Sequence, residues 1–190
     1  MVASKLRKGF VAEANRWAVE LRAELGLFEG DPMSPWLLAK HLGVPIYRLS
    51  ELPDCAEKDL LYKKKGGHDF SAAVCFDGLA AFVVTNDGND PKRQASDIAH
   101  ELAHILLRHP PANPFLQDGL RDFSAIHELE AERLGPTLLL SDYAAVRAHR
   151  LMVSGGYTIA RLSDAWGLSR EVIQMRINLS GARRRLSNAA

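Results

Sequence analysis

Apolar residues recur at three- and four-residue steps along much of the chain, which is the spacing of amphipathic helices. Lys5 to Leu25 is the first such stretch, and Ser34-Pro35 starts a second one that ends at Gly43. Two further helices are predicted from Ala95 to Arg108 and from Phe123 to Leu140. The pattern therefore predicts a helical N-terminal part and two more helices in the second half of the chain.

Short apolar runs between these helices predict strands. Val44 to Leu49 is one run, and Ser71 to Phe76 and Leu79 to Thr85 are two more. Asp77-Gly78 joins the last two, and an Asp-Gly pair between apolar runs is the strongest short signal for a hairpin. The whole pattern predicts an α+β fold, in which a mainly helical domain carries a small antiparallel sheet and a helical C-terminal extension.

The stretch from Ile159 to Leu179 has the outline of a helix-turn-helix, because Gly167-Leu168-Ser169 separates two apolar patterns. Arg170 and Arg176 would lie on the second helix, the one that reads DNA in such units. DNA contact is one interpretation. The apolar residues of the second helix also indicate burial, so we favour packing on the rest of the protein or docking of a protein substrate.

Composition and the distribution of charge indicate how the chain is divided into domains. Of the 190 residues 47% are apolar and 25% are charged, which is typical of one globular domain with or without a small appendage. Residues 147–190 hold eight arginines against two acidic residues, whereas residues 1–146 hold 16 basic against 21 acidic residues. We predict a main domain over residues 1–146 and a basic extension over residues 147–190, with either an anionic partner or a solvated surface for the extension.

The cysteines and the hydropathy indicate a location. Cys55 and Cys75 are far apart in the sequence and are expected to be buried free thiols of a reducing compartment. Residues 1–10 are followed by no apolar run of the kind found in secretory signals, and no segment approaches the length of a membrane span. The expectation is a cytoplasmic protein without a membrane partner.

The strongest chemical signal is the pentapeptide His100-Glu101-Leu102-Ala103-His104 inside a predicted helix. Residues four apart share a helix face, so His100 and His104 can bind one metal ion from the same side. Glu101 lies about 100° around the helix, where it can act as base towards a water on the metal. The alternative is a chance order of residues on a solvated helix. The pattern also leaves open a metal-dependent hydrolase of small molecules, because it specifies an activated water and not an amide bond.

A catalytic zinc site needs a third protein ligand. One peptidase class takes a histidine six residues after the second histidine, but Pro110 occupies that position. The next helix offers Glu128, Glu130 and Glu132. At about 100° per residue, Glu130 lies on the mostly apolar face, where a carboxylate is costly unless it is paired or binds a metal. We therefore predict Glu130 as the ligand and treat the other two as solvated or as outer groups. A salt bridge from Glu130 to an arginine is the alternative.

At these residues the sequence resembles the ImmA/IrrE family of zinc metallopeptidases. The similar segments are Ser96 to Leu107, which contains the pentapeptide, and Glu128-Leu129-Glu130-Ala131, which continues to Leu140. The family pattern Glu-x-Glu-Ala, with its second glutamate as zinc ligand, implies the same choice, Glu130. Two departures, Pro136 and Ser141, concern helix geometry and not a ligand.

The resemblance implies a zincin-like, gluzincin-type peptidase fold with Zn²⁺ held by His100, His104 and Glu130, and with Glu101 as the catalytic base. It also implies a protein substrate, a helix-turn-helix transcriptional repressor, whose cleavage controls gene expression. Two rival hypotheses are a DNA-binding regulator and a protein-binding module with a non-catalytic metal site. No oxyanion-stabilising residue can be assigned, and the candidates are His127, Tyr143 and His149.

Overall fold

The computed structural model describes residues 5–53, 70–78, 80–110 and 124–187. In these ranges the chain forms eight α-helices and a three-stranded sheet. The helices are α1 (Phe10–Glu24), α2 (Pro35–His41), α3 (Pro91–Leu106), α4 (Ala125–Leu139), α5 (Asp142–Val153), α6 (Ile159–Trp166), α7 (Arg170–Leu179) and α8 (Ala182–Ser187). The strands are β1 (Ile46–Arg48), β2 (Ala72–Asp77) and β3 (Ala80–Thr85), and a short 3-10 turn, Leu49–Glu51, follows β1. None of the described helices combines the length and the apolar character needed to cross a membrane.

Side-chain caps explain where most of these helices begin. Six of the described helices start after a residue whose oxygen accepts a backbone N–H of the first turn, which satisfies one of the donors that a helix start leaves open. These residues are Ser34, Asp90, Ser124, Ser141, Thr158 and Ser169. The predicted start at Ser34-Pro35 is therefore confirmed, and α3 begins at Pro91, ahead of the predicted Ala95.

The sheet has the order β1-β3-β2. β2 and β3 pair antiparallel, with Val74 opposite Val83, and Gly78 turns between them at a φ of 59°. The hairpin predicted from Asp77-Gly78 is confirmed. β1 pairs parallel to β3, so the sheet is mixed and not purely antiparallel. A parallel pair needs a long connection, and the segment between β1 and β3 provides one.

The main core joins α3 to the other elements of the first 140 residues. Buried apolar side chains of α1, α2, β3, α3 and α4 meet in it, among them Phe10, Leu38, Val83, Ile98, Leu102 and Leu134. α4 continues through Pro136 as far as Leu139. The mainly helical α+β class predicted from the sequence is confirmed, and the core fixes α3 between the sheet and α4.

The C-terminal helices have a second core, which also includes α3. Leu162, Ile173 and Ile177 pack with Ala95 and Ala99 of α3 and with the residues around the end of α4. α6 and α7 have the predicted outline, since Gly167 adopts a left-handed φ of 63° and Ser169 caps α7. The predicted boundary at residue 146 lies within α5.

Arg176, one of the two arginines considered for DNA contact, packs against the protein. Its side chain is 1% exposed, its Nε donates to the Leu140 carbonyl at 2.7 Å, and it pairs with Asp142 at 2.8 Å. A guanidinium that is buried against the protein cannot contact DNA. Arg170 remains exposed.

Candidate metal centre

α3 presents both histidines of the pentapeptide on one face. The Nε2 atoms of His100 and His104 lie 3.0 Å apart, and their rings are nearly edge to face. His104 is buried, whereas His100 is partly exposed. The one-turn spacing in the sequence therefore brings two imidazole nitrogens together on one face of α3. The histidine that solvent can reach is His100.

Glu128 of α4 completes this group. Its Oε2 lies 3.3 Å from the Nε2 of His100, and its Oε1 lies 4.0 Å from the Nε2 of His104. The ligand atoms of the three residues are all within 4.8 Å of one another. Ligands around a tetrahedral zinc with bonds of 2.0–2.1 Å are about 3.3 Å apart. The donor set and its spacing thus suit a zinc ion with one position left for water.

A glycine allows α4 to come this close to α3. A Cβ added at Gly135 would lie 3.1 Å from three backbone atoms of α3, the Ala99 carbonyl oxygen and the Cα and N of His100. Real Cβ atoms are rarely found at such distances from backbone. Gly135 therefore sets the separation of the two helices at the first histidine of the cluster.

Glu101 faces the sheet. It is 3% exposed, and its Oε2 accepts a hydrogen bond of 3.0 Å from the backbone N–H of Val74 in β2. β2 is an edge strand among the described strands, and this N–H points away from β3. The carboxylate that the motif assigns to base chemistry is thus held between the histidine helix and a strand edge.

Glu130 does not join the histidine pair. It is 8% exposed, as its position on the apolar face predicted, but its Oε1 accepts from the Nε of Arg7 at 3.2 Å and its Oε2 contacts the Nε2 of His109 at 3.2 Å. The structure brings Glu128 to His100 and His104 in its place. Glu130 forms a salt bridge to an arginine, which the sequence analysis gave as the alternative to metal binding. Burial alone could not distinguish a metal ligand from a carboxylate paired with other side chains.

His109 is a site residue that the sequence analysis missed. Its Nδ1 lies 2.9 Å from the Nδ1 of His104. α3 ends in a Schellman motif, in which Arg108 takes a left-handed φ of 53° and the N–H of His109 bonds the His104 carbonyl at 3.0 Å. This turn folds His109 back onto the preceding helical turn. In a sequence, glycine usually indicates a helix end of this kind. Because arginine occupies the position here, the turn could not be predicted from the sequence.

The burial of His109 favours its neutral form. Burial lowers the pKa of His109, and the hydrogen bond to Glu130 opposes part of that effect. His127, one of the oxyanion candidates, stacks on His109 with ring centroids 4.4 Å apart. Tyr143 and His149 lie on α5, where Tyr143 is half exposed.

Cys75 lies on β2, next to the residue that holds Glu101. It is a free thiol and is partly buried. Burial, together with the charge of Glu101, raises the pKa of Cys75 to about 11. The thiol is therefore protonated near neutral pH and is not a nucleophile candidate. Cys55 lies outside the described residues.

Comparison with known protein families agrees with this geometry. The model of the IrrE N-terminal-like domain, Peptidase_M78, matches residues 39–178. This range runs from the last residues of α2 almost to the end of α7 and includes every residue of the His100, His104 and Glu128 group. No curated protein matches the chain. Since the match covers well over half of the sequence, the chain belongs to the ImmA/IrrE family of metallopeptidases.

Proposed function

We propose that this protein is a zinc-dependent endopeptidase. The observation that carries the proposal is the convergence of two imidazole nitrogens and one carboxylate within 4.8 Å, beside a buried glutamate. The ligands proposed are His100, His104 and Glu128. Glu128 replaces Glu130 in this set because it is the glutamate whose oxygens approach both histidines.

The mechanism follows from which groups surround the cluster. A zinc ion bound there would supply a Lewis acid that polarises the scissile carbonyl and makes a water acidic. Glu101 accepts the proton of the attacking water and delivers it to the leaving amine. The N–H of Val74 orients the Glu101 carboxylate for this transfer, since it fixes one of the two oxygens at 3.0 Å.

A substrate can reach the cluster of His100, His104 and Glu128 from its solvent-exposed side. His100 and Glu128 are partly exposed, while His104 and Glu101 are buried. β2 borders the site, and an extended peptide could add to its edge as a further strand. A protein segment in extended form suits such a site better than a compact small molecule does.

We infer a helix-turn-helix repressor as the substrate, on the strength of the family membership, and a cytoplasmic location where such a repressor meets DNA. The basic extension over residues 147–190, which contains α6, α7 and α8, would dock this partner. DNA binding by the extension is the weaker candidate, because Arg176 is buried in an ion pair with Asp142.

A cleavage assay with a matched pair of variants tests the proposal. A helix-turn-helix repressor, chosen by searching the genes that neighbour the one for this protein, is incubated with wild-type protein and Zn²⁺, and the fragments are sized by mass spectrometry. Cleavage should be lost with a chelator and return with Zn²⁺. Glu101→Gln should bind zinc normally and cleave at least about 100-fold more slowly, because the base is missing.

Glu132→Gln is the control for this variant, since Glu132 is an exposed glutamate on α4. It should cleave at the wild-type rate. Cleavage by Glu101→Gln at the wild-type rate would contradict the mechanism. Zinc binding without cleavage of any repressor or peptide would favour the binding-module alternative.

A further inference from the structure

A chain of polar contacts leads from the Nδ1 of His104, the ring nitrogen that does not face His100, to the N-terminal segment. The Nδ1 of His104 contacts the Nδ1 of His109 at 2.9 Å, the Nε2 of His109 contacts Glu130 at 3.2 Å, and Glu130 accepts from Arg7 at 3.2 Å. Arg7 is held in turn by Glu13 at 2.6 Å. The contacts are continuous, with each distance in hydrogen-bonding range.

The direction of the donors along this chain follows from the chemistry of imidazole. A neutral imidazole has one N–H and one lone pair. If His104 uses its Nε2 for the metal, its Nδ1 carries the hydrogen and donates to the Nδ1 of His109. His109 must then carry its own hydrogen on Nε2, which donates to the Glu130 carboxylate. Each donor meets an acceptor, and the arginine closes the chain with a positive charge.

The three residues at the centre of this chain of contacts are buried, so each depends on the others for its hydrogen bonds. His104, His109 and Glu130 are each at most 8% exposed, so water cannot readily replace a lost partner. Metal-binding histidines commonly donate their second N–H to a carboxylate or carbonyl, which fixes the tautomer and the ring orientation. Here the carboxylate is reached through an intervening histidine instead of directly.

Resting on the zinc site proposed above, we propose that Glu130 is a positioning residue that acts on the ligand His104 through His109. It holds His109 in the tautomer that accepts from His104 and so keeps the Nε2 of His104 directed at the metal. Glu130 itself does not touch the ion. The buried glutamate that the sequence singled out thus belongs to the support of the site and not to its ligand set.

A double-mutant cycle on zinc affinity tests this role. Full-length protein is stripped of metal and titrated with Zn²⁺ in competition with a chromophoric chelator, and the thermal stability of each metal-free variant is recorded. Glu130→Gln and His109→Phe should each weaken zinc binding about 10–100-fold. The double variant should be no weaker than His109→Phe alone, because Glu130 has no route to His104 once His109 is removed.

The cycle separates the alternatives. If Glu130 were a ligand, the two losses would multiply in the double variant, and the inference would be wrong. It would also be wrong if Glu130→Gln lowered the stability of the metal-free protein but left zinc affinity unchanged. Should His109→Phe not fold, Arg7→Gln serves instead, and its smaller loss of zinc affinity should vanish in the Glu130→Gln background.

Two further variants distinguish a failure of the positioning role from a failure of the proposed metal site. Glu128→Gln removes a proposed ligand and should weaken zinc binding more than Glu130→Gln does, and Glu132→Gln should bind as wild type does. If wild-type protein bound no zinc, or if Glu128→Gln had no effect, the proposed metal site would fail. If both behaved as expected while Glu130→Gln bound normally, only the positioning role would fail.

Discussion

Three glutamates in one helical turn show what single residues contribute to this site. Glu132 is exposed, Glu130 is buried against Arg7 and His109, and Glu128 faces His100 and His104. Helical periodicity distinguished the buried glutamate from the other two. It could not say which partner each carboxylate meets, because those partners come from α3 and from the N-terminal segment.

Gly135 is the residue whose size most directly affects the metal centre. We expect Gly135→Ala to destabilise the fold by about 1–3 kcal/mol, as overpacking does, although alanine favours helix formation. The added methyl group meets backbone of α3 at 3.1 Å and must push α4 away from His100. Zinc affinity should fall as well. Chemical denaturation and zinc titration measure the two effects.

Gly156→Ala is the matched control for this substitution. A Cβ at Gly156 has its nearest neighbours at 3.9 Å, an ordinary contact. It should leave both the free energy of unfolding and zinc affinity almost unchanged. If Gly135→Ala behaved in the same way, the close approach of the two helices would not depend on this glycine.

At the scale of elements, the C-terminal end of α4 depends on two buried arginines. Arg22 of α1 donates to the carbonyls of Leu138 and Leu139 at 2.9 and 3.0 Å, and Arg176 of α7 donates to that of Leu140. Burial lowers the pKa of Arg22 to about 10, and the charge of Arg176 contributes. Both stay protonated at neutral pH. They satisfy helix-end carbonyls that no water reaches.

Arg22→Met should therefore be severely destabilising. The loss expected is about 3–5 kcal/mol, because several buried carbonyls lose their donor at once. Arg16→Met is the control on the same helix, since Arg16 is 65% exposed and pairs with Glu20 at the surface. It should cost at most about 0.5 kcal/mol. Urea denaturation followed by circular dichroism measures both, and equal costs would contradict this role of Arg22.

At the scale of the whole molecule, the question is whether the C-terminal extension folds with the peptidase core. Ala95 and Ala99 of the histidine helix belong to the same apolar cluster as Leu162 and Ile173 of the extension. Lys92 at the start of α3 also contacts Asp164 at 2.6 Å. These contacts connect the two predicted parts through α3.

We expect Ile173→Ala to weaken both parts together. The fully buried side chain should cost about 2–5 kcal/mol on truncation. Hydrogen exchange followed by mass spectrometry should show faster exchange in peptides of α3 as well as of α7. Leu179→Ala, on the same helix but 49% exposed, should change little. If hydrogen exchange in α3 were as slow in Ile173→Ala as in the wild type, the extension would fold separately from the rest of the protein.

Local signals in the sequence determined the elements and half of the metal centre. The Asp77-Gly78 turn, the Ser-Pro helix start and the Gly167 break depend on the conformations open to single residues, so they could be recognised without a structure. The one-turn spacing of His100 and His104 likewise depends only on helix geometry. The mainly helical α+β class followed from these local choices.

The tertiary structure alone decided which side chains meet across elements. It paired β1 parallel to β3, buried Arg176 against Asp142, directed Glu128 to the histidines, and folded His109 back beneath His104. Apart from His109, which the turn at Arg108 positions, each outcome depends on how one helix or strand is placed against another. Periodicity gives the buried face of an element, but packing sets the placement of one element against another, and here it selected which glutamate faces the two histidines.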